Sequence, residues 1–584
     1  MANAPMTGLG GLKSRVIGRR TRVRALDILM ANDTLRASYL LKVGGNPSAP
    51  ALDEDTATRF LLWFALEGRH QYQQVSFPPD FVAFLATPQP PFSTRLAAYV
   101  HALRAEPRSM RDEDIEDFHA WYYVTGAHQL RLTPLLVARE RSFLMEDHPH
   151  FARRAERLAR WDVFRFRAAT GDGSRQHRRS RSDGRDIAAW LSAHPAAGST
   201  PWHCPQPSQD RSWLPGINVI GSADGVSGIG EDARTLTEVL LSAGIQQSIF
   251  NVRYPTEIVT TDQSGRETYF ADRPLYPINI FCLPAFETVR LKLGHGENLF
   301  AGRYNIGYWP WELTSLPPAW RFAFDLVDEV WASSQFLLDV FQRLTSKPVV
   351  HMPPHVSVPD IASFDRESFG LSPTDVIFLC MFDFNSYVAR KNPQATIAAF
   401  QIAFPSRTGN ERLLIKTLNG HANPEALLDL QRQVATDDRI VLVDGNLARN
   451  EVCGLLQDID CYVSLHRSEG FGRIIAEAML LGTPVIATDW SGNTSFLNAT
   501  TGFPVDCTLR NVRPDEYVFA EGSVWAEPST EDAARRMRQI RRDPRAVAAA
   551  TAKARHAVQQ NYGLAAATAR ISAWLTDFAA TRPG

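Results

Sequence analysis

Thirty residues from Ser464 to Asn493, SLHRSEGFGRIIAEAMLLGTPVIATDWSGN, restrict the fold more than any other part of this 584-residue chain. An apolar strand begun at Cys461 closes at Leu465. Glu469-Gly470-Phe471-Gly472 is a glycine-bounded loop, and Arg473 to Leu481 has a helix former at nearly every position. Gly482 and Pro484 end that helix, and Val485 to Thr488 is a short run rich in β-branched residues. Strand, loop, helix, turn and strand in this order make a βαβ crossover, which calls for a parallel sheet. Its loop stands at the carboxyl end of the first strand, where open α/β sheets bind ligands.

Two carboxylates in this unit, eight positions apart, have different physical settings. Glu469 is expected in an exposed loop. Phe471 and Gly472 follow it at the helix start, where unpaired backbone N–H groups and the helix dipole favour a phosphate or a polarised sugar oxygen. Gly470 and Gly472 would let backbone approach a ligand closely. Glu477 projects from mid-helix at the edge of the buried face and needs hydrogen-bond donors there, which ribose hydroxyls would supply. Two glutamates at this spacing also arise by chance on solvated helices. The complete string, however, resembles the Glu-x7-Glu signature of the retaining group 1 glycosyltransferases (glycosyltransferase family 4, GT-B fold), including the EGFG loop and the GTPVIA entry to the second strand. The resemblance implies an α/β molecule with two Rossmann-like domains facing a cleft. It further implies a nucleotide diphosphate sugar of UDP or GDP type as substrate, retention at the anomeric carbon, and neither a cofactor nor a metal.

Strand and helix alternate from Ile217 onward. Ile217 to Ile220 reads as a strand, Gly225-x2-Gly228-x-Gly230 as a turn, and Glu231 to Ser242 as a helix with Ala233, Leu236, Val239 and Leu240 on one face. The glycine order GxxGxG matches a dinucleotide fingerprint only loosely. The resemblance instead sets Gly228 and Gly230 against the donor pyrophosphate. Strands at Ile278 to Leu283, Asn305 to Trp309, Glu329 to Ser333 and Val349 to Met352 complete a first Rossmann-like domain, 216–360, on the acceptor side. Tyr308-Trp309-Pro310-Trp311-Glu312 ends one strand. Trp309 and Trp311 read equally as sugar platforms or as core residues, and Glu312 as an acceptor ligand or a helix cap.

The second domain, 361–584, is expected to hold the nucleotide sugar. Between its first strand and first helix lies Tyr387-Val388-Ala389-Arg390-Lys391-Asn392-Pro393, whose paired cations suit a leaving pyrophosphate. Lys391 matches the lysine of the resembled family. Arg390 is read as replacing an arginine that the family carries upstream, where this chain has Asp383-Phe384-Asn385. The triplet Asp458-Ile459-Asp460 leads into a strand instead of following one, so it does not read as a metal-holding pair. By the same resemblance, the helices after Thr530 cross back onto the first domain.

Residues 1–195 form a different, all-α region with an internal repeat. Phe60-x2-Trp63-x4-Gly68-x-His70-Gln71 recurs fifty-eight positions later as Phe118-x2-Trp121-x4-Gly126-x-His128-Gln129. Each glycine reads as a C-cap and the aromatics as one face of a helix. The arginine-dense run Arg175 to Arg185 reads as a solvated linker or, alternatively, as a contact for anionic lipid. Pro195 to Pro215 reads as a boundary. Sixty-two basic residues against sixty-three acidic give no charge argument for nucleic acid. Six scattered cysteines without metal-ligand spacing and the lack of a membrane-length apolar run point to the cytoplasm, with any membrane contact peripheral. The expected activity is transfer of a hexose or deoxyhexose to a glycan or lipid-linked acceptor in surface polysaccharide synthesis. Residues 1–195 would bind a protein partner or the membrane. The alternative is a non-catalytic scaffold of the same fold.

Overall fold

The computed structural model describes residues 216–581 apart from 254–268, 296, 360, 518–519 and 521, and before them 24–32, 52–69, 77–104 and 112–123 with isolated positions as far as 193. The chain divides into two compact units, one drawn mainly from residues before Ser208 and the other mainly from Gln209–Gly584.

In the first unit, helices Glu54–Trp63 and Asp112–Trp121 carry the two copies of the repeat. Phe60 and Trp63 pack with ring centroids 5.7 Å apart, and Phe118 and Trp121 do so at 6.0 Å. Asp53 caps the first helix by accepting the Thr56 N–H at 2.8 Å. Gly68 is not a left-handed cap, which corrects that expectation, because the helix continues through it to Arg69. A Cβ there would lie 2.8 Å from the rings of both Phe64 and Trp63, so the glycine makes room for aromatic packing. His70, Gln71, Gly126, His128, Gln129, the arginine run and the boundary at Pro195 to Pro215 lie outside the described residues.

The second unit begins with β1 (Ile217–Gly221), α1 (Gly228–Ser242), β2 (Gln247–Asn251), β3 (Ile278–Cys282), α2 (Ala285–His295), β4 (Tyr304–Tyr308), β5 (Glu329–Ala332), α3 (Gln335–Gln342) and β6 (Val349–His351). These six strands form a parallel sheet in the order β2-β1-β3-β4-β5-β6. β1 and β3 are buried along their whole length, as continuous apolar strands between two helical layers must be. Ser227 caps α1 by accepting the Gly230 N–H, so Gly228 and Gly230 belong to the first helical turn and not to a preceding loop.

A second parallel sheet follows, built from β7 (Val376–Asp383), α4 (Pro393–Ala403), β8 (Glu411–Leu418), α5 (Pro424–Val434), β9 (Ile440–Asp444), α6 (Arg449–Asp458), β10 (Cys461–Ser464), α7 (Arg473–Leu481), β11 (Val485–Thr488) and β12 (Phe503–Val505). Its strand order is β12-β11-β10-β7-β8-β9. α7 stops at Gly482, whose φ of 88° costs a glycine nothing. An antiparallel pair, β13 (Cys507–Asn511) and β14 (Val524–Pro528), is appended. Three helices close the chain, α8 (Thr530–Arg542), α9 (Pro544–Tyr562) and α10 (Leu564–Thr581). α10 inserts Ala567, Ile571 and Trp574 into the apolar core beneath the first sheet, and the Trp574 indole donates to Glu329 Oε1 at 2.7 Å. Two Rossmann-like sheets joined in this way are the GT-B architecture. No helix among the described residues is long and apolar enough to cross a membrane.

Candidate active site

In the second sheet the strand order reverses between β7 and β10, so the loops leaving their carboxyl ends part and open a crevice. The loop after β7 delivers Arg390 and Lys391 on a single turn, Val388–Lys391. The loop after β10 delivers Glu469. Lys391 Nζ donates to Glu469 Oε1, and Arg390 lies 3.2 Å from the other carboxylate oxygen. Burial pushes the Glu469 carboxyl up, but Lys391, then Arg390 and His466, outweigh it and hold it at about 2. Glu469 is not in an exposed loop: its side chain is 14% exposed. The loop folds inward because the Glu469 N–H donates to Ser491 Oγ at 2.8 Å and its carbonyl accepts the Gly492 N–H at 2.9 Å.

Arg390 does not present its guanidinium to a phosphate. It is buried, donates to the carbonyls of Ser468 and Ser386 at 3.1 Å each, and stands 3.7 Å from Glu312 on the first-sheet side of the cleft. It therefore positions Glu469, which corrects its assignment as a pyrophosphate ligand. Glu312 accepts a hydrogen bond from the Tyr517 hydroxyl at 2.7 Å.

The glycines serve the protein's own backbone. A Cβ on Gly470 would stand 2.6 Å from the Trp311 carbonyl oxygen, and one on Gly492 2.1 Å from the Gly470 carbonyl oxygen. Close approach to a ligand is thus not what Gly470 provides. Gly472 takes φ 91° as the residue that opens α7. The Phe471 ring is buried against Phe496 and Tyr562 at 5.1 and 5.6 Å, which anchors the turn. The N–H groups of Phe471 and Gly472 take no hydrogen bond within the described protein and remain available to an anion.

Glu477 is completely buried, and its donors come from the protein: Arg449 grips both oxygens at 2.5 and 3.0 Å. This corrects the expectation that ribose hydroxyls supply them. Burial pushes the Glu477 carboxyl up against the pull of Arg449 and Arg473. Arg449 also stands 3.7 Å from Glu231 on α1, and Arg473 pairs with Asp232 of the same helix, so two ion pairs join the two sheets' domains. Burial raises Glu231 too, but Arg449, Arg473 and Arg234 outweigh it and hold it at about 2. For Asp232, burial prevails over Arg473 and the carboxyl is raised.

None of Arg449, Arg473, Glu231 and Asp232 emerged from the sequence. One signal was present: Arg473 is the first residue of α7, where the helix dipole disfavours a cation, so a partner acid was required. Gly230 packs beneath the β1 loop, where a Cβ would lie 2.4 Å from the Gly225 carbonyl oxygen, whereas Gly228 has open space. Trp309 and Trp311 are core residues. The Trp309 indole donates to Thr288 at 3.0 Å and packs on Phe324, while Trp311 bonds the Ser315 carbonyl at 2.8 Å and meets Trp320 edge-on. Neither offers a free ring face, which removes the platform reading. Among the described residues no three His, Cys, Asp or Glu side chains gather as a metal would need. Asp458 pairs with Arg366 and Asp460 accepts the Ile377 N–H. A hollow of about 450 Å³ lies between β6 and α10, apart from this cluster. A smaller one adjoins Asp232 and His355.

Residues 384–513, from the loop after β7 through β13, match the family model described as glycosyl transferases group 1. The matched segment contains Lys391, Glu469 and Glu477. Among solved structures, the sucrose-phosphate synthase of Thermosynechococcus elongatus is similar over 63% of this chain and 99% of that one, at 16% identity and a TM-score of 0.47. The HepE protein of Anabaena, solved in complex with UDP and glucose, is similar over 62% of this chain and 100% of that one, at 12% identity and a TM-score of 0.43. No curated protein matches the chain.

Proposed function

We propose that this protein transfers a hexose or deoxyhexose from a UDP or GDP sugar to a glycan or lipid-linked acceptor, with retention and without a metal, in cytoplasmic synthesis of a surface polysaccharide. The observation that carries the reading is the union of Lys391 with Glu469 at the open start of α7, inside the segment that matches the family. Lys391 and the amides of Phe471 and Gly472 receive the leaving phosphate, and preorganised donors of this kind stabilise charge where it develops. Glu469, ionised and held by Arg390, accepts hydrogen bonds from hydroxyls of the donor sugar. The acceptor oxygen bonds to the anomeric carbon on the face from which the phosphate departs. The sugar–phosphate bond breaks with its electron pair on the phosphate, which takes the acceptor proton. Residues 1–195 are assigned to acceptor, partner or membrane binding.

The test is a thermal-shift and turnover screen of the full chain with UDP-glucose, UDP-N-acetylglucosamine and GDP-mannose. A ligand at about 100 times its dissociation constant adds ~2.7 kcal/mol of stability. Stabilisation with release of UDP or GDP is expected, and a flat response to all three donors would remove the reading.

A further inference from the structure

The turn between β7 and α4 contains a backbone outlier at Tyr387. Tyr387 has φ 62° and ψ 106°, a backbone conformation that a residue with a Cβ adopts only under strain. The surrounding turn imposes it. The Tyr387 carbonyl accepts the N–H groups of both Arg390 and Lys391 at 3.0 and 3.2 Å, Asp383 caps the preceding turn, and Asn392, itself at φ 54°, is tied to the Leu465 carbonyl at 3.1 Å. Glycine would fit this position without strain. A tyrosine there, three residues before the pair that holds Glu469, directs attention to its side chain.

That side chain is unusual for this protein. Tyr387 is 37% exposed and is the only aromatic among the exposed large apolar residues described. Its ring leans on Tyr517, with centroids 4.4 Å apart and planes inclined at 43°. Tyr517 is a rigid backing, buried, bonded to Glu312, and met edge-on by Trp311 and Trp525. The Tyr387 hydroxyl makes no hydrogen bond within the described protein. A rigidly backed aromatic face with an unengaged hydroxyl beside Arg390 and Lys391 has the chemistry of a pyranose contact: apolar C–H groups against the ring and a sugar hydroxyl against the phenol. Trp309 and Trp311, which the sequence offered for this task as readily as for the core, have no face to offer.

We propose that Tyr387 is a saccharide-binding and specificity-determining residue, its ring covering one face of a pyranose; this rests on the reading that Lys391 and Glu469 hold a nucleotide sugar. The sugar is either the one transferred or the terminal residue of the acceptor, and kinetics separates them. Tyr387→Ala and Tyr387→Phe are compared with wild type in hydrolysis of the best donor from the screen and in transfer from it to methyl glucoside or methyl mannoside. If the donor sugar lies on the ring, Tyr387→Ala raises the donor KM of hydrolysis at least tenfold. If the acceptor does, the acceptor KM rises by that factor. Tyr387→Phe keeps the ring and loses at most a few-fold. Tyr387→Gly relieves the backbone, so it is expected to melt within a few degrees of wild type while showing the same KM defect, which a merely structural tyrosine would not produce. Unchanged KM values for both substrates in a folded Tyr387→Ala protein overturn the proposal alone. A wild type that turns over no nucleotide sugar overturns the reading beneath it as well.

Discussion

Replacing Glu469 with glutamine keeps the shape of the side chain and removes its charge, so the worth of the charge can be read from stability. The carboxyl is held at about 2 against an ordinary 4.5. At ~1.4 kcal/mol per pH unit, the gap corresponds to ~3 kcal/mol of native-state stabilisation at neutral pH. With only 14% of the side chain exposed, solvent screening takes little from this figure. Arg390 would keep the Ser468 and Ser386 carbonyls and Glu312 as partners, which argues against a larger loss. For a domain of this size, ~3 kcal/mol corresponds to roughly 6–12 °C in melting temperature. The sign with pH is fixed. A carboxylate whose folded pKa is depressed contributes stability that is fully present above its unfolded value and is lost as pH falls toward the folded one. The gap between wild type and Glu469→Gln should therefore be constant from about pH 8 to 6 and narrow below about 4.5. Scanning calorimetry of both proteins over that range, with nucleotide-sugar turnover at pH 7, is the measurement. The variant should lose turnover as well as stability. Equal melting at pH 7, or a gap that widens on acidification, would refute the ion-pair reasoning.

Gly230→Ala should lose ~1–3 kcal/mol, because the new methyl meets backbone oxygens of Gly225 and Ser222 at 2.4 and 2.7 Å that cannot turn aside. Gly228→Ala, which meets nothing within 4 Å, should melt within a few degrees of wild type. Turnover should persist in excess EDTA, and loss of activity restored by magnesium or manganese would contradict the assignment of the leaving group to Lys391 and backbone amides.

The parts legible in the sequence were those set by local pattern. α7 follows its predicted span from Arg473 to Leu481. The Ser464 to Asn493 unit folds as strand, loop, helix and strand, because each boundary is marked by glycine, proline or β-branching. Lys391 and Glu469 were each marked, although their contact spans seventy-eight positions and is made only by the reversal between β7 and β10. What stayed hidden depends on burial. Nothing local separates a tryptophan that stacks on a sugar from one that packs on Phe324, or an arginine that meets phosphate from one enclosed by Ser386, Ser468 and Glu469. Arg449 and Glu477 form a pair between α6 and α7, and Arg473 and Asp232 between α7 and α1, helices that flank two separate sheets. Both pairings are set by tertiary contact, and neither has a periodicity to betray it.

α10 belongs by sequence to the end of the chain and by packing to its first sheet, since Ala567, Ile571 and Trp574 complete the core around β1, β3 and β4. A ribosome that has finished β6 must still add more than two hundred residues before those side chains exist. At roughly 5–20 residues per second, the first sheet waits on the order of 10–40 s with an apolar flank uncovered. The nascent chain is therefore exposed to aggregation over an interval set by translation, and chaperone demand should fall on the half made first.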